Sequence, residues 1–159
     1  MDDGIDIGPV DLEASIVKRA RAVAAPLVIL PLREVGDVGI YPTSTLTLAK
    51  RLHSAGVSAF YLHDSEHRRF VVKKSALGEV AAALLVGIGS NAAWDAIKAL
   101  FRARPTTDVD VTYLNLDTPD ENLTAWRVVG DSDAVLRTID SLRSQGASVP
   151  AGGETRSSP

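Results

Sequence analysis

The residues whose types and spacing could bind a phosphate lie in one uncharged stretch between Glu79 and Asp95. Gly87, Gly89 and Ser90 fall there in the pattern G-x-G-x-x-A. Where such a pattern joins a strand to a helix, the backbone N–H groups at the start of the helix point toward a bound phosphate. A nucleotide-binding loop therefore requires a strand before the glycines and a helix after them.

The composition around these glycines favours a different structure. The preceding residues, EVAAALL, are rich in alanine and leucine, which form helices readily and strands poorly. About forty residues follow Asp117, the acid that could bind a ribose, and a dinucleotide fold needs more parallel strands than they supply. We therefore interpret residues 76–86 as a buried helix, the glycines as a break, and Ser90 or Asn91 as the cap of a second helix.

The three histidines, His53, His63 and His67, lie close together in the chain. His63 and His67 are four residues apart, which on a helix would place both rings on one side and could bind a metal ion. Their surroundings, HDSEHRR, are typical of a polar turn between strands, where this spacing does not direct two side chains toward one ion. These two histidines are the candidate metal ligands, but a polar turn accounts for both of them without a bound metal. We expect no cofactor and no catalytic residues.

A basic segment could bind phosphates or an acidic protein. Residues 41–74 hold six basic and two acidic residues, a net charge of +4, whereas the other residues hold 11 basic and 18 acidic, a net charge of −7. The basic residues in the second half of this segment are Arg68, Arg69, Lys73 and Lys74. Alternation along a strand would divide them between two faces, so a solvated surface and a nucleic-acid site both remain open.

The bulk composition is that of an ordinary globular protein. The chain has 159 residues, of which 45% are hydrophobic and 23% charged, and a net charge of −3 argues against a protein that coats nucleic acid. It has no cysteine, which excludes disulfides and thiolate metal sites. The uncharged run at residues 80–94 is shorter than the roughly 20 apolar residues that a membrane span needs. Because the acidic start does not resemble a signal peptide, we expect a cytoplasmic protein.

The elements that would position these residues follow from hydrophobic periodicity. Helical spacing of apolar residues predicts helices at residues 11–25, 43–56 and 132–142. Short β-branched or alternating runs predict strands at residues 27–30, 57–64, 68–74, 108–117 and 123–129. The last four strands pair as two hairpins. The predicted fold is α+β, a mixed sheet built from two β-hairpins and a short buried strand, packed with about four to five helices.

The same pattern predicts one globular domain over residues 10–143. We expect residues 1–9 to be flexible or to form a short edge strand. The tail at residues 144–159 is rich in glycine, serine and proline, and we expect it to be disordered. A division of the domain into residues 10–77 and 78–143 is the alternative.

The second half of the chain resembles a known kind of module. The runs LLVGIGSNAAWDAIKALFRAR, DVDVTYLNLD, TAWRVVGD and SDAVLRTIDSL, within residues 78–143, are similar to the effector-associated constant component modules of actinobacterial conflict systems. The shared pattern is a glycine and alanine break, a helix, a strand hairpin and a final helix. The resemblance implies a non-catalytic adaptor that couples an invader signal to a separate effector protein. It does not extend to residues 10–77 and transfers no functional residues.

The sequence thus predicts a small cytoplasmic interaction module in a bacterial defence or signalling system, with an effector protein or a second copy of itself as partner. The alternative is a nucleotide- or nucleic-acid-binding regulator that uses the loop at Gly87 and Gly89 or the basic segment.

Overall fold

The computed structural model describes residues 5–73, 82–105, 108–116 and 124–146. Over these residues the helices are α1 (Ala14–Val23), α2 (Ser44–Ser54), α3 (Asn91–Ala103) and α4 (Ser132–Gly146). The strands are β1 (Asp6–Val10), β2 (Leu27–Ile29), β3 (Arg33–Val35), β4 (Val38–Pro42), β5 (Ala59–Tyr61), β6 (Arg68–Val71), β7 (Ala82–Ile88), β8 (Val109–Asn115) and β9 (Ala125–Gly130). The predicted α+β class with a mixed sheet is confirmed.

The helices form where apolar residues recur at helical spacing. In α2, Leu48 and Leu52 are one turn apart, and both are buried against the large sheet. In α1, Ile16 and Ala20 form the buried stripe, and the helix ends where Ala24 adopts the left-handed conformation with φ 55°. These two predicted helices and the predicted final helix are confirmed.

Six strands form the large sheet in the order β1-β9-β8-β7-β2-β5. The pairs β7–β8 and β2–β5 are parallel, and the other pairs are antiparallel. Helix α3 makes the crossover between β7 and β8 that a parallel pair requires. Helices α2, α3 and α4 cover one face of the sheet and α1 packs on the other. Strands β8 and β9 form the second predicted hairpin, which is confirmed.

The prediction of a helix before the glycines is wrong for the residues that the structure describes there. Residues 82–88 form β7, which pairs with β8 on one side and with β2 on the other. Leu84, Val86 and Ile88 enter one core and Leu85 packs against the other. A strand that is buried on both faces reads as a continuous apolar run, so tertiary pairing overrides the helix propensity of its alanines and leucines. The rest of the predicted helix, residues 76–81, lies outside the described ranges.

The first predicted hairpin is also wrong. Strand β5 pairs with β2 in the large sheet, whereas β6 pairs with β4 in a separate small sheet of order β3-β4-β6. The polar residues 62–67 therefore carry the chain from one sheet to the other instead of turning it back. The residues before Pro42, for which the sequence pattern predicts neither a helix nor a strand, form the β3–β4 hairpin. Its two-residue turn at Gly36 and Asp37 has φ 64° at the glycine, as a type II′ turn requires.

Both halves of the chain contribute to the large sheet, since β2 and β5 lie beside β7 and β8. Helix α4 continues to Gly146, three residues beyond the predicted domain end. The rest of the predicted tail, residues 147–159, falls outside the described ranges. Among the helices of those ranges, none combines the length and the apolar character needed to cross a membrane.

Candidate functional site

The small sheet has two chemically different faces, which its strand register defines. The inner face, which packs against the rest of the protein, consists of Glu34, Gly39, Tyr41, Arg68 and Phe70. The outer face consists of Arg33, Val35, Val38, Ile40, Pro42, Arg69 and Val71. Because side chains alternate along each strand, every residue of the sheet belongs to one face or the other.

Aromatic rings attach the inner face to the large sheet. The rings of Tyr41 and Tyr61 meet edge to face with centroids 4.9 Å apart, and Phe70 lies about 6 Å from each of them. The guanidinium of Arg68 lies 4.2 Å from the centroid of the Tyr61 ring, and its Nε donates a hydrogen bond of 2.8 Å to the carbonyl of His63. Since Tyr61 belongs to β5, these contacts hold the two sheets together.

A chain of polar groups runs behind these rings, in which Tyr41 and His63 are buried, Glu34 is partly exposed and Arg19 is exposed. The Nδ1 atom of His63 lies 2.7 Å from the hydroxyl of Tyr41, which also accepts a 3.1 Å hydrogen bond from the backbone N–H of His63. The other ring nitrogen, Nε2, lies 2.5 Å from Oε2 of Glu34. That oxygen also accepts a 2.6 Å hydrogen bond from Arg19 on α1. The chain thus links α1, β3 and β4 to the connection between β5 and β6.

A row of tyrosine, histidine and glutamate can in principle move a proton. Burial raises the pKa of Tyr41 to about 12, so the phenol stays protonated at neutral pH. The Tyr41 side chain is also 0% exposed. We therefore interpret this chain as a satisfied polar network that fixes the position of the small sheet, since every member has a hydrogen-bond partner.

Gly39 makes room for this network. A Cβ atom at Gly39 would lie 2.5 Å from Cε1 of His63 and 2.9 Å from Cε2 of Tyr41, and closer still to Nδ1 of His63. Real Cβ contacts do not fall below 3.0 Å, so the imidazole lies directly against the glycine backbone. The sequence reasoning missed Gly39 and Glu34 because they are far from His63 along the chain.

The outer face is exposed along its two flanking strands, β3 and β6, whereas Ile40 and Pro42 on the central strand β4 are buried. Val35 is 60% exposed and Val71 is 36% exposed, and Val72, just after β6, is 57% exposed. A solvated sheet face ordinarily carries polar residues at such positions. The two-residue turn between alternating residues, V-G-D-V, is the sequence signal that could have located this hairpin.

Two arginines cross the middle of the outer face. Arg33 on β3 and Arg69 on β6 are both direct neighbours of Ile40 on β4. Both arginine residues are exposed, and over the residues that the structure describes neither has a hydrogen-bond or ion-pair partner. The nearest carboxylate in sequence, Glu34, is on the inner face and is bound to Arg19 and His63. The outer face is therefore apolar and positively charged.

The structure does not gather the predicted basic residues into one surface. Arg68 belongs to the inner face and Arg69 to the outer face, while Lys74 lies outside the described ranges. Lys73 extends to Asp110 on β8, at 3.0 Å.

Asp110 is a buried carboxylate with two cationic partners. It accepts two hydrogen bonds from Arg127 on β9, at 2.9 and 2.7 Å, besides its ion pair with Lys73. Burial alone would raise the pKa of Asp110, but the hydrogen bonds from these two cations outweigh burial and lower it. Lys73 thus forms an ion pair within the protein, with Asp110.

The predicted phosphate-binding residues lie at the junction of β7 and α3. Gly87 is within β7, and Ser90 caps α3 by accepting a 3.1 Å hydrogen bond from the backbone N–H of Ala93. The N–H of Gly89 donates a 2.8 Å hydrogen bond to the carbonyl of Pro26. A strand, turn and helix therefore stand where a phosphate loop requires them, but protein groups occupy the Gly89 amide and the Ser90 cap.

A cleft of about 480 Å³ borders this junction, between the end of α1 and the β7–α3 turn. Most of its lining residues are small, and Arg21 and Ser90 are among them. Gly89 has a packing role here, because a Cβ at this position would lie 2.5 Å from the carbonyl oxygen of Ala25. The C-terminal end of α1 and the N-terminal end of α3 both border the cleft, so their opposite dipole ends offset each other there.

The two candidate metal ligands have separate partners. His63 belongs to the buried network, whereas the ring of the partly exposed His67 lies 2.6 Å from Asp64 and 3.3 Å from Asp37. Hydrogen bonding between His67 and Asp64 raises the pKa of the histidine and lowers that of the carboxyl. In the part of the chain that the structure describes, no three potential ligands come together in a metal-binding group.

Comparisons of the chain with protein-family models, with curated proteins and with solved structures find no match. The function must therefore be inferred from the geometry of the site itself.

Proposed function

We propose that this protein is a small non-catalytic interaction module that binds a protein partner through the outer face of its small sheet. The observation that supports this is the composition of the face, in which exposed Val35 and Val71 occupy positions where a solvated sheet carries polar side chains. Exposed apolar residues beside arginines are typical of protein interfaces. The adaptor role implied by the resemblance of residues 78–143 agrees with this proposal.

The contacts that anchor the inner face also support the proposal. The aromatic contacts and the polar chain from Tyr41 to Arg19 hold the small sheet in one position. A sheet held in this way presents its outer face preformed, which reduces the ordering entropy that binding must overcome. The same rigidity argues against a role for the network in chemistry, because the Tyr41 hydroxyl stays buried and protonated.

Site-specific photocrosslinking tests the proposal. A photoreactive amino acid is placed at Val35 and at Val71 in the full chain and, as a matched control, at Ile7, an exposed apolar residue on the edge strand β1. We expect one protein in native-host extract to crosslink at both outer-face positions and not at the control position. The mass of the product distinguishes a different protein from a second copy of this chain.

The captured protein is then purified and its affinity is measured by calorimetry. We expect Val35→Asp combined with Val71→Asp to weaken binding at least tenfold, and Ile7→Asp to leave it unchanged. Circular dichroism checks that each variant is folded. Equal binding by the double variant and the control variant would exclude the outer face as the docking surface.

A further inference from the structure

The outer face carries its charge and its apolar residues in three rows across the strands. Val35 and Val38 pair in the first row, Arg33, Ile40 and Arg69 in the second, and Pro42 and Val71 in the third. Successive rows are two residues apart along β4, which corresponds to roughly 6.8 Å. The charged row is therefore bordered by apolar residues on both sides.

The strand register places the two arginines where they could share one negative group. They are on the two strands that flank β4, so their Cα atoms are roughly 10 Å apart. An extended arginine side chain spans much of that separation, so both guanidinium groups can reach one carboxylate above Ile40. Of the acidic residues near this sheet, Glu34 binds Arg19 and His63, and Asp37 and Asp64 contact His67.

We propose that the segment of the partner that contacts the outer face carries one acidic side chain between two apolar side chains, at a spacing of about 7 Å. This inference rests on the proposed function. An extended segment that lies along β4 meets the requirement with the pattern apolar-x-acidic-x-apolar, because alternate side chains of a strand point to one face. The acidic side chain meets Arg33 and Arg69, and the apolar side chains meet the rows that contain Val35 and Val71.

A protein segment fits this surface better than a nucleic acid does. Nucleic-acid surfaces gather several cations along a phosphate backbone. Here Arg68 lies on the opposite face and Lys73 is paired with Asp110, which leaves two arginines among apolar side chains. The small number of available cations and their apolar neighbours therefore favour an acidic residue of a protein segment.

Synthetic peptides provide the test. The probe is the capped peptide TVTETVT, with two control peptides in which the central Glu is replaced by Gln or by Lys. Each is titrated into the full-length ¹⁵N-labelled protein, and amide shifts are followed by NMR. We expect the Glu peptide to shift amides of β3, β4 and β6 and to bind at least tenfold more tightly than the Lys peptide.

Charge reversal makes the test specific. In a protein with Arg33→Glu and Arg69→Glu, the preference should reverse in favour of the Lys peptide. Arg102→Glu, at an exposed arginine on α3, is the matched control and should leave the preference unchanged. Equal binding of the Glu and Lys peptides, or a preference that survives the double reversal, would overturn the inference. Binding of a DNA duplex that depends on both arginines would overturn it as well.

The two proposals fail in different ways. If Val35→Asp with Val71→Asp abolishes binding of the captured partner while the double arginine reversal leaves it unchanged, the outer face docks a protein and the acidic motif is wrong. If neither pair of substitutions affects the captured partner, both proposals fail.

Discussion

Substitution of Gly39 by alanine tests whether the buried network fixes the small sheet. The new methyl group would lie 2.5 Å from Cε1 of His63 and 2.9 Å from Cε2 of Tyr41. The imidazole cannot move away from the methyl group without stretching these contacts, because Tyr41 binds one ring nitrogen at 2.7 Å and Glu34 binds the other at 2.5 Å. We therefore expect the substitution to displace His63 and to break both hydrogen bonds.

The magnitude follows from those two bonds. A neutral hydrogen bond contributes about 1 kcal/mol to stability, one to a charged group about 1.5–3 kcal/mol, and a buried group left without a partner adds to the loss. The expected loss for Gly39→Ala is therefore about 2–4 kcal/mol, which lowers the melting temperature by about 4–16 °C for a chain of this length. Gly8→Ala is the control, because a Cβ atom at this second strand glycine would have nothing within 4 Å of it.

Denaturant unfolding followed by circular dichroism measures both variants, and a double-mutant cycle assigns the cause. In a His63→Ala background the ring is absent, so Gly39→Ala should be much less harmful, with a coupling of about 1–3 kcal/mol. If Gly39→Ala is as mild as Gly8→Ala, or equally harmful with and without the histidine ring, the imidazole does not lie against this glycine and the network does not anchor the sheet.

Two further predictions concern titration and the glycine turn. Because the pKa of Tyr41 is about 12 in the folded protein and about 10 in the unfolded chain, the stability contributed by the neutral buried phenol is present below pH 10. It should be lost as the pH rises to 12, by about 2–3 kcal/mol. Denaturant titrations should show this alkaline loss in Tyr61→Phe but not in Tyr41→Phe, and its persistence in Tyr41→Phe would contradict the assignment. At the turn, Gly89→Ala places a methyl group 2.5 Å from the carbonyl oxygen of Ala25 and should destabilise the protein by about 1–3 kcal/mol, with Gly8→Ala as control. Millimolar ATP should leave the melting temperature of the wild type unchanged, whereas a saturable rise that disappears in Gly89→Ala would identify a phosphate loop.

The sequence alone determined the elements whose partners are close in the chain. Leu48 and Leu52 specify the buried side of α2 through their spacing. In the same way, the sequence narrowed the cap of α3 to Ser90 or Asn91, of which Ser90 is the cap. The hairpin of β8 and β9 was predicted as well, because strict alternation ending in a polar turn is a local signal. In each case a few neighbouring residues contain the whole pattern.

Only the tertiary structure decided where distant elements pair. Residues 82–88 have the local propensity of a helix, and they become a strand because β2 and β8 take up their backbone hydrogen bonds and bury both faces. The sequence pattern predicted that β5 and β6 form a hairpin. In the structure β5 pairs with β2 and β6 pairs with β4. Pairing over such separations depends on the whole set of available strands, which local composition does not encode.

The candidate site also depends on pairing between strands that are distant in the chain. The outer face exists because β3 and β6, which are about 35 residues apart in the chain, both pair with β4 and place Arg33 and Arg69 on either side of Ile40. His63 meets Glu34 and Tyr41 for the same reason, since strand pairing and chain crossing bring them together. The sequence specified the charge and apolar character of these side chains, and the strand register alone placed them on a common face.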